Sequence, residues 1–384
     1  MLLSRKRLTT LPATAAIFFS CCNISMAAHP SWMTVEYLYW GIENEPLSVP
    51  LVTSNPTPGA GGAMGSIGET GTQVIYGTGS SNDAVNFIGF HAAHTTLGGW
   101  FDACDQYGLE ANFFGHAKRN NIFSASSDEI TQPLIAIPYY SVSEGSEAGF
   151  NLGSAPNVLT ITNNSQTWAG DLNALLDLEK RVHFPLVAMA GLAYFNLAEG
   201  LNLNDTLVDT TLNGTVSVMD NFKASNQFYG LQFGARSDIT IQNFTLGLLG
   251  TLALGENRQN LEITGNTNVA NGAFEMTSSN AGLFAEPSNI GNYKDHPFTL
   301  LPKVQMRLGY NLAPDMNIFF GYNFLYLSDV IRPGEQLQHN INITQQPTLG
   351  PSGGVLTGAA LPTLNMTHTH IWMQAFSMGF KFEY

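Results

Sequence analysis

The segment that most restricts what this chain can become is its last fifteen residues, His370-Ile-Trp-Met-Gln-Ala-Phe-Ser-Met-Gly-Phe-Lys-Phe-Glu-Tyr384. Trp372, Phe376, Met378, Phe380, Phe382 and Tyr384 share one parity, while Ala375, Ser377, Gly379, Lys381 and Glu383 share the other. Side chains alternate between the two faces of a strand, so one face is bulky and aromatic and the other small or charged. A barrel with lipid outside and a wet lumen needs that arrangement. The pattern recurs upstream. Val304, Met306, Leu308 and Tyr310 oppose Lys303, Gln305, Arg307 and Asn311, and Ile318, Phe320, Tyr322, Phe324 and Tyr326 align on one parity. So do Phe244, Leu246, Leu248, Leu252 and Leu254, while Leu172, Ala174, Leu176 and Leu178 oppose Asp171, Asn173, Asp177 and Glu179.

Charged residues are only 11% of the chain, yet after the N-terminus no run of about 18 apolar residues occurs, which argues against a helical membrane protein. The connections alternate in length. Short links fall near Ala103–Gln106, Val182–His183, Asp238–Ile239 and Ala313–Asp315. Long ones run through Ile42–Ala84, Lys118–Ser165, Ala198–Asn226, Glu256–Phe298 and Val330–Asn365. With both termini on the periplasmic side, every short link falls inside and every long one outside. The expected fold is therefore all-β, an antiparallel transmembrane barrel of about 10 strands, or 12 if a hairpin hides around Gly214–Lys223. An even count closes the ring and leaves no unpaired edge in hydrocarbon.

Residues 1–28 read as a secretory signal, with Arg5, Lys6 and Arg7 before the apolar Leu11–Cys22 run and small residues around Ala27. Export would place the barrel, residues 29–384 as a single domain, in the outer membrane of a didermic bacterium. Losing the leader leaves 12 basic residues against 29 acidic ones, a formal charge of −17, which makes nucleic acid an improbable partner. It also leaves Cys104 as the one cysteine, so no intramolecular disulfide framework is expected. The expected partners are outer-membrane lipid, the barrel assembly machinery, and a ligand or surface partner at the long loops. The terminal Phe380, Phe382 and Tyr384 resemble the C-terminal signal by which outer-membrane barrels are recognised for assembly.

Five segments follow one another in a recognisable order: Glu36-Tyr-Leu-Tyr-Trp40, Pro50-Leu-Val-Thr-Ser54, Gly71-Thr-Gln-Val-Ile-Tyr-Gly77, Leu97-Gly-Gly-Trp-Phe-Asp102 and Gly108-Leu-Glu-Ala-Asn-Phe-Phe114. They resemble the BBP7 family of outer-membrane β-barrel proteins, a planctomycete-type family defined by barrel architecture and not by an activity. The resemblance is good over residues 33–140 and rests on strand pattern beyond. It departs at Phe87–Thr96, where Gly89-Phe-His-Ala-Ala-His-Thr-Thr stands in place of the family's Gly-Arg-type approach to the tryptophan. The family pattern carries no catalytic residues to transfer.

Candidate lumen charges are Arg181, Arg236, Lys303, Arg307, Lys381, Asp171, Asp177, Glu179 and Glu383. In an open pore they would set a transverse field; in a closed barrel they would pair and plug it. The histidine pairs His91/His94 and His368/His370 are the only metal or base candidates, and no nearby Asp, Glu or Cys in sequence completes a ligand set, so neither metal nor cofactor is assigned. Ser377 and His370 lie at an odd offset, on opposite faces, and no Gly-x-Ser-x-Gly elbow is legible. The tract Gly59–Gly71 is Gly-rich but lacks the Lys and helix of a phosphate cradle, and reads as a loop. The expected role is structural or surface interaction without catalysis; the alternatives are a general porin for small hydrophilic solutes or ions, and a barrel enzyme.

Overall fold

A computed structural model describes residues 30–56, 64–102, 104–127, 134–151, 156–179, 183–209, 214–271, 274–351 and 353–384. The leader and Arg181 lie outside the described residues. In chain order the strands are β1 (Ser31–Pro46), β2 (Pro50–Asn55), β3 (Gln73–Gly77), β4 (Ala84–Trp100), β5 (Tyr107–Ser127), β6 (Leu134–Ser141), β7 (Ser146–Phe150), β8 (Asn157–Asp177) and β9 (Val187–Asp209). They continue with β10 (Gly214–Ile241), β11 (Phe244–Asn271), β12 (Phe274–Ser279), β13 (Gly291–Asp295), β14 (Phe298–Ala313), β15 (Met316–Ile331), β16 (Asn340–Ile341) and β17 (His368–Glu383).

Ten of these strands pair antiparallel in the ring β1-β4-β5-β8-β9-β10-β11-β14-β15-β17, and β17 pairs back to β1. The seam runs from Trp32 opposite Glu383 to Ile42 opposite Met373, and Ser31 and Tyr384 exchange two backbone hydrogen bonds at 2.9 Å. Closure gives every barrel strand two neighbours, the condition for crossing hydrocarbon. The possible eleventh and twelfth strands do not form. Gly214–Lys223 instead prolongs β10 in unbroken register with β9, from Gly214 opposite Asp209 to Arg236 opposite Val187.

The outward parity carries the apolar residues read from the sequence, including Phe320, Phe376, Met378, Phe380, Leu246, Leu308 and Leu172. Aromatic contacts mark both rims. Trp168, Tyr194 and Tyr229 touch in series at centroid distances of 4.5 and 4.8 Å on one side, and Phe244 meets Tyr310 at 5.2 Å on the other. At roughly 3.3 Å per residue and roughly 40° tilt, Tyr229 and Ile241 stand about 30 Å apart along the barrel axis, which matches a bilayer core. The described residues contain no helix long and apolar enough to cross a membrane. This chain crosses with strands.

Strand length is unequal around the ring. β1, β14, β15 and β17 have 16 residues each, whereas β8, β9, β10 and β11 have 21, 23, 28 and 28. The tall side rises well past the lipid band. Against it pack a small sheet of β16, β6, β2 and β3 with β7 on its edge, β12 and β13 against β11, and two 3-10 turns at Pro333–Gln336 and Ile343–Gln345. Much of the expected loop sequence is thus a folded external lobe. The tight turn joining β10 to β11 is Gln242-Asn243, with Gln242 in the left-handed region at φ 56°, and not Asp238-Ile239. Asp238 is a common turn residue, but here it continues the lumen-facing parity.

Candidate functional site

The lumen is built in three tiers. At the periplasmic end a polar cup of about 640 Å³ is lined by Trp32, Asn112, Asp238, Asn243, Gln305 and Asn311, among others, with Lys381 and Glu383 at its mouth. Lys381 Nζ lies 2.6 Å from Glu383 Oε1. Trp32 stands over Gly98, where a Cβ would strike the indole, so glycine there makes room for the ring. Its Nε1 donates to Glu110 Oε2 at 3.2 Å, and the Arg236 guanidinium lies 5.3 Å from the ring centroid.

Above the cup runs a belt of three ion pairs, each a chord across the barrel. Arg307 Nη2 donates to Glu36 Oε2 at 2.8 Å, Lys303 Nζ to Asp171 Oδ2 at 2.8 Å, and Arg236 Nη1 to Glu110 Oε2. Each joins strands three or four places apart in the ring. Amides complete the belt. Asn112 and Asn173 donate to Asp171 Oδ1 at 2.8 and 2.6 Å, Gln232 donates to Asn173 at 2.9 Å, and Thr96 donates to Asn112 at 2.6 Å. His94 Nδ1 lies 2.6 Å from Glu36 Oε2. Low dielectric makes such charge-assisted bonds strong and an unpaired charge costly, so a belt with its cations and anions matched is the stable arrangement.

The third tier is apolar. Directly above the belt a cavity of only about 30 Å³ remains, between Leu38, Trp40, Phe114, Leu249 and Leu325. Beyond it Leu38, Trp40, Phe90, Phe195, Phe228, Leu327 and Met373 belong to one continuous core of buried side chains that runs on into the external lobe. These residues project from the barrel strands themselves, so this core is part of the wall and not a detachable loop.

Inside the lobe, polar groups are placed one by one. Arg332 is 1% exposed; its Nε and Nη2 donate to the two oxygens of Glu199 at 2.9 and 2.8 Å, and Nη1 donates to the carbonyls of Glu43 and Asn44 at 3.1 Å. Asp220 accepts from the backbone N–H groups of Leu283, Phe284 and Ala285 at 3.0, 3.0 and 2.7 Å. Burial outweighs those bonds and raises its carboxyl to about 6. Burial, with the charge of Asp220 added, pushes Glu286 to about 10. Burial raises Asp205 to about 7, and burial with neighbouring Glu199 raises Glu45 to about 8.

The candidate charges therefore separate. Arg236, Lys303, Arg307 and Asp171 meet in the belt, and Lys381 and Glu383 stand at the cup's mouth. Asp177 is half-buried where β8 ends, with Oδ1 accepting from the N–H of Glu179 at 2.8 Å, and Glu179 itself is exposed in the turn outside the lumen. The side chain of Glu179 has left the strand, so parity no longer governs it. Phe380 and Phe382 face outward at 40% and 39% exposure, and Tyr384 is exposed at the seam.

Sequence reading missed Glu36 and Glu110, the anions of two belt pairs, although both lie inside family segments. The available signal was parity: Glu36 shares its face with Leu38 and Trp40, opposite Tyr37 and Tyr39. It also missed Arg332 with Glu199, which no local pattern joins. The histidine pairs divide: His91 faces outward, with Nδ1 2.5 Å from Tyr37 Oη, while His94 faces inward to Glu36. His368 Nδ1 lies 2.8 Å from Asp329 and its Nε2 3.4 Å from Asp295, and His370 lies 3.7 Å from Glu43. Among the described residues no group of three His, Cys, Asp or Glu side chains is placed to hold a metal ion. Ser377 faces the lumen and accepts from Asn323 at 3.2 Å, away from His370. Cys104 is exposed in the β4–β5 turn without a disulfide.

A ten-stranded closed sheet with an apolar belt outside and paired charges inside defines an outer-membrane β-barrel. The chain belongs to the family described as "Putative beta barrel porin-7 (BBP7)", whose match spans residues 32–384. No curated protein matches it. Among solved structures it is similar to the outer membrane protease OmpT from Escherichia coli, at 10% identity over 94% of this chain and 99% of that one, with a TM-score of 0.41. It is also similar to a Pseudomonas aeruginosa FadL homologue, at 10% identity over 93% and 90% of the two chains, with a TM-score of 0.23.

Proposed function

We propose that this protein is a non-conducting barrel of the bacterial outer membrane, without catalysis, whose folded external lobe carries a structural or surface-contact role. The observation that supports this reading is the seal. The polar cup ends at the ion-paired belt, and above the belt wall-borne Leu38, Trp40, Phe90, Phe195 and Phe228 are buried around a cavity of only about 30 Å³ among the described residues. A hydrated ion would have to cross a dry, close-packed layer, and interiors of that density offer few voids as large as a water molecule. In this reading the leader directs export, the assembly machinery reads Phe380, Phe382 and Tyr384, lipid covers the outer wall, and an external partner meets the lobe.

The test is conductance of the detergent-purified protein in a planar bilayer, with insertion checked by heat-modifiable gel mobility. The expected result is silence from inserted protein, in wild type and in Arg307→Glu/Lys303→Glu alike. Discrete steps whose ion selectivity moves with those two substitutions would replace this reading with that of a porin.

A further inference from the structure

The outward wall just above the lipid band is not uniform. At the level of Tyr229 opposite Glu256 and Glu256 opposite Phe298 the apolar surface stops; Phe298, 71% exposed, is its last aromatic. Directly above, strand pairing sets Gln227 opposite Arg258, Asn260 opposite Lys294, and Lys223 opposite Glu262. Arg258, Lys294, His296, Glu256, Ser225 and Asn292 line an outward cleft of about 820 Å³, and Lys223 lies two residues along β10 from Ser225. On β9 the residues opposite Lys223, Ser225 and Gln227 are Gly200, Ala198 and Asn196, none of them charged.

Cations are scarce in this chain, and three of the twelve outside the leader gather here. Three acids stand among them: Glu256, Glu262 and, between Lys294 and His296, Asp295, whose Oδ2 lies 3.4 Å from His368 Nε2. Glu256 Oε1 lies 3.1 Å from Arg258 Nε and 3.2 Å from His296 Nδ1, and Glu262 lies 3.2 Å from Lys223. Lys294 is exposed and has no acidic partner among the described residues. The Arg258 guanidinium lies 5.1 Å from the centroid of Tyr229, which steadies it at the lipid boundary, and its Nε donates to Glu256. A cluster of cations on a chain of strongly negative charge, set at headgroup height with Lys294 unpaired among the described residues, favours an anion anchored in the membrane.

We propose that Lys223, Arg258, Lys294 and His296 seat the phosphorylated headgroup of a lipid in the external leaflet. The headgroup phosphates meet the Nζ and Nη groups, and its acyl chains descend along Tyr229, Leu231 and Phe298. Long-range attraction is worth about fivefold in affinity for each Lys or Arg held near an anionic lipid surface.

The experiment titrates the intact barrel in a neutral detergent with bisphosphorylated lipid A and, separately, with the same lipid dephosphorylated, and reads bound lipid by native mass spectrometry. The wild type is expected to prefer the phosphorylated lipid by about tenfold or more. Lys223→Gln/Arg258→Gln/Lys294→Gln should reduce that preference to about twofold or less, while Lys118→Gln on β5 leaves it unchanged. Heat-modifiable mobility confirms that each variant is folded. Equal binding of the two lipids by wild type, or a preference retained in the triple variant, overturns the site. Full displacement of the lipid by millimolar inorganic phosphate overturns the lipid assignment and leaves a simple anion site. None of these outcomes depends on whether the barrel conducts.

Discussion

The two ends of one lumen are built from the same inward strand parity and yet solve opposite problems. Near the periplasm, Glu36, Glu110 and Asp171 face Arg307, Arg236 and Lys303 beside a polar cup of about 640 Å³. In the external half the inward positions of the tall strands include Phe195, Leu201, Leu203, Phe222 and Phe228, with polar side chains such as Asn163, Thr167, Glu199, Asp220 and Asn226 buried among them. The difference teaches where water is allowed. A belt beside a cup keeps part of its hydration and tolerates charge; a lobe closed over an apolar core tolerates it only in fully bonded sites such as Arg332 with Glu199. The ion pairs report this directly: side-chain exposures are 23% and 9% for Lys303 and Asp171, against 1% and 0% for Arg332 and Glu199.

The comparison is broken most sharply at Arg332. Changing Arg332→Met strands Glu199 in the core and frees the carbonyls of Glu43 and Asn44, so the lobe should lose about 3–5 kcal/mol. Hydrogen exchange of the amides around 195–207 and 216–228 reads the loss. Replacing both partners, as Arg332→Met/Glu199→Leu, should recover most of it, because no buried charge is then left alone. If the single and double variants exchange alike, the lobe is wet and the distinction between the two halves fails.

Protonation offers a milder probe of the same dryness. Burial raises Asp205 from 3.8 to about 7, and both its oxygens lack a hydrogen-bond partner among the described residues. A raised acid favours the neutral form in the folded lobe, so its stabilising contribution is complete below about pH 4 and is lost as the pH climbs through about 7. Asp220, Glu45 and Glu286, raised to about 6, 8 and 10, act in the same direction. The lobe should therefore be firmer at pH 5 than at pH 8, by about 2 kcal/mol for Asp205 alone. Asp205→Asn should remove that share of the dependence and slow exchange at pH 8. An unchanged pH profile in Asp205→Asn would mean that Asp205 reaches water.

How much of this was legible follows the surroundings of each strand. β14, β15 and β17 were readable because lipid demands an apolar residue at every outward position, so Val304, Met306 and Leu308 or Phe376, Met378 and Phe380 announce the parity. Above the membrane that demand ends. On β9, Leu201, Leu203 and Leu207 alternate with Asn202, Asn204 and Thr206, a strand with a polar outer face that reads as a long loop when hydrocarbon is expected on both sides of the count. Asp238 reads as a turn because Asp favours turns, and only the register to Gly247 places it in the lumen. The cations of the belt were recognised by their positions opposite apolar residues, but pairing Lys303 with Asp171 requires the ring to close, which no local pattern encodes.

The smallest effect is expected from that pair, and it sharpens the comparison most directly. Lys303→Met removes a belt cation as Arg332→Met removes a lobe cation, and both leave a carboxylate behind. Asp171 keeps the amide donors of Asn112 and Asn173 at 2.8 and 2.6 Å, and the cup lets water and counterions approach the belt. A charge that keeps two hydrogen bonds and partial hydration loses little when its ion partner goes, so the cost should be about 1 kcal/mol and should shrink as salt is added. Urea unfolding of the barrel in detergent, followed by tryptophan emission at low and high salt, measures both quantities. A loss as large as that of Arg332→Met, insensitive to salt, would mean that the belt is as dry as the lobe and that the seal begins lower in the lumen than Leu38 and Trp40.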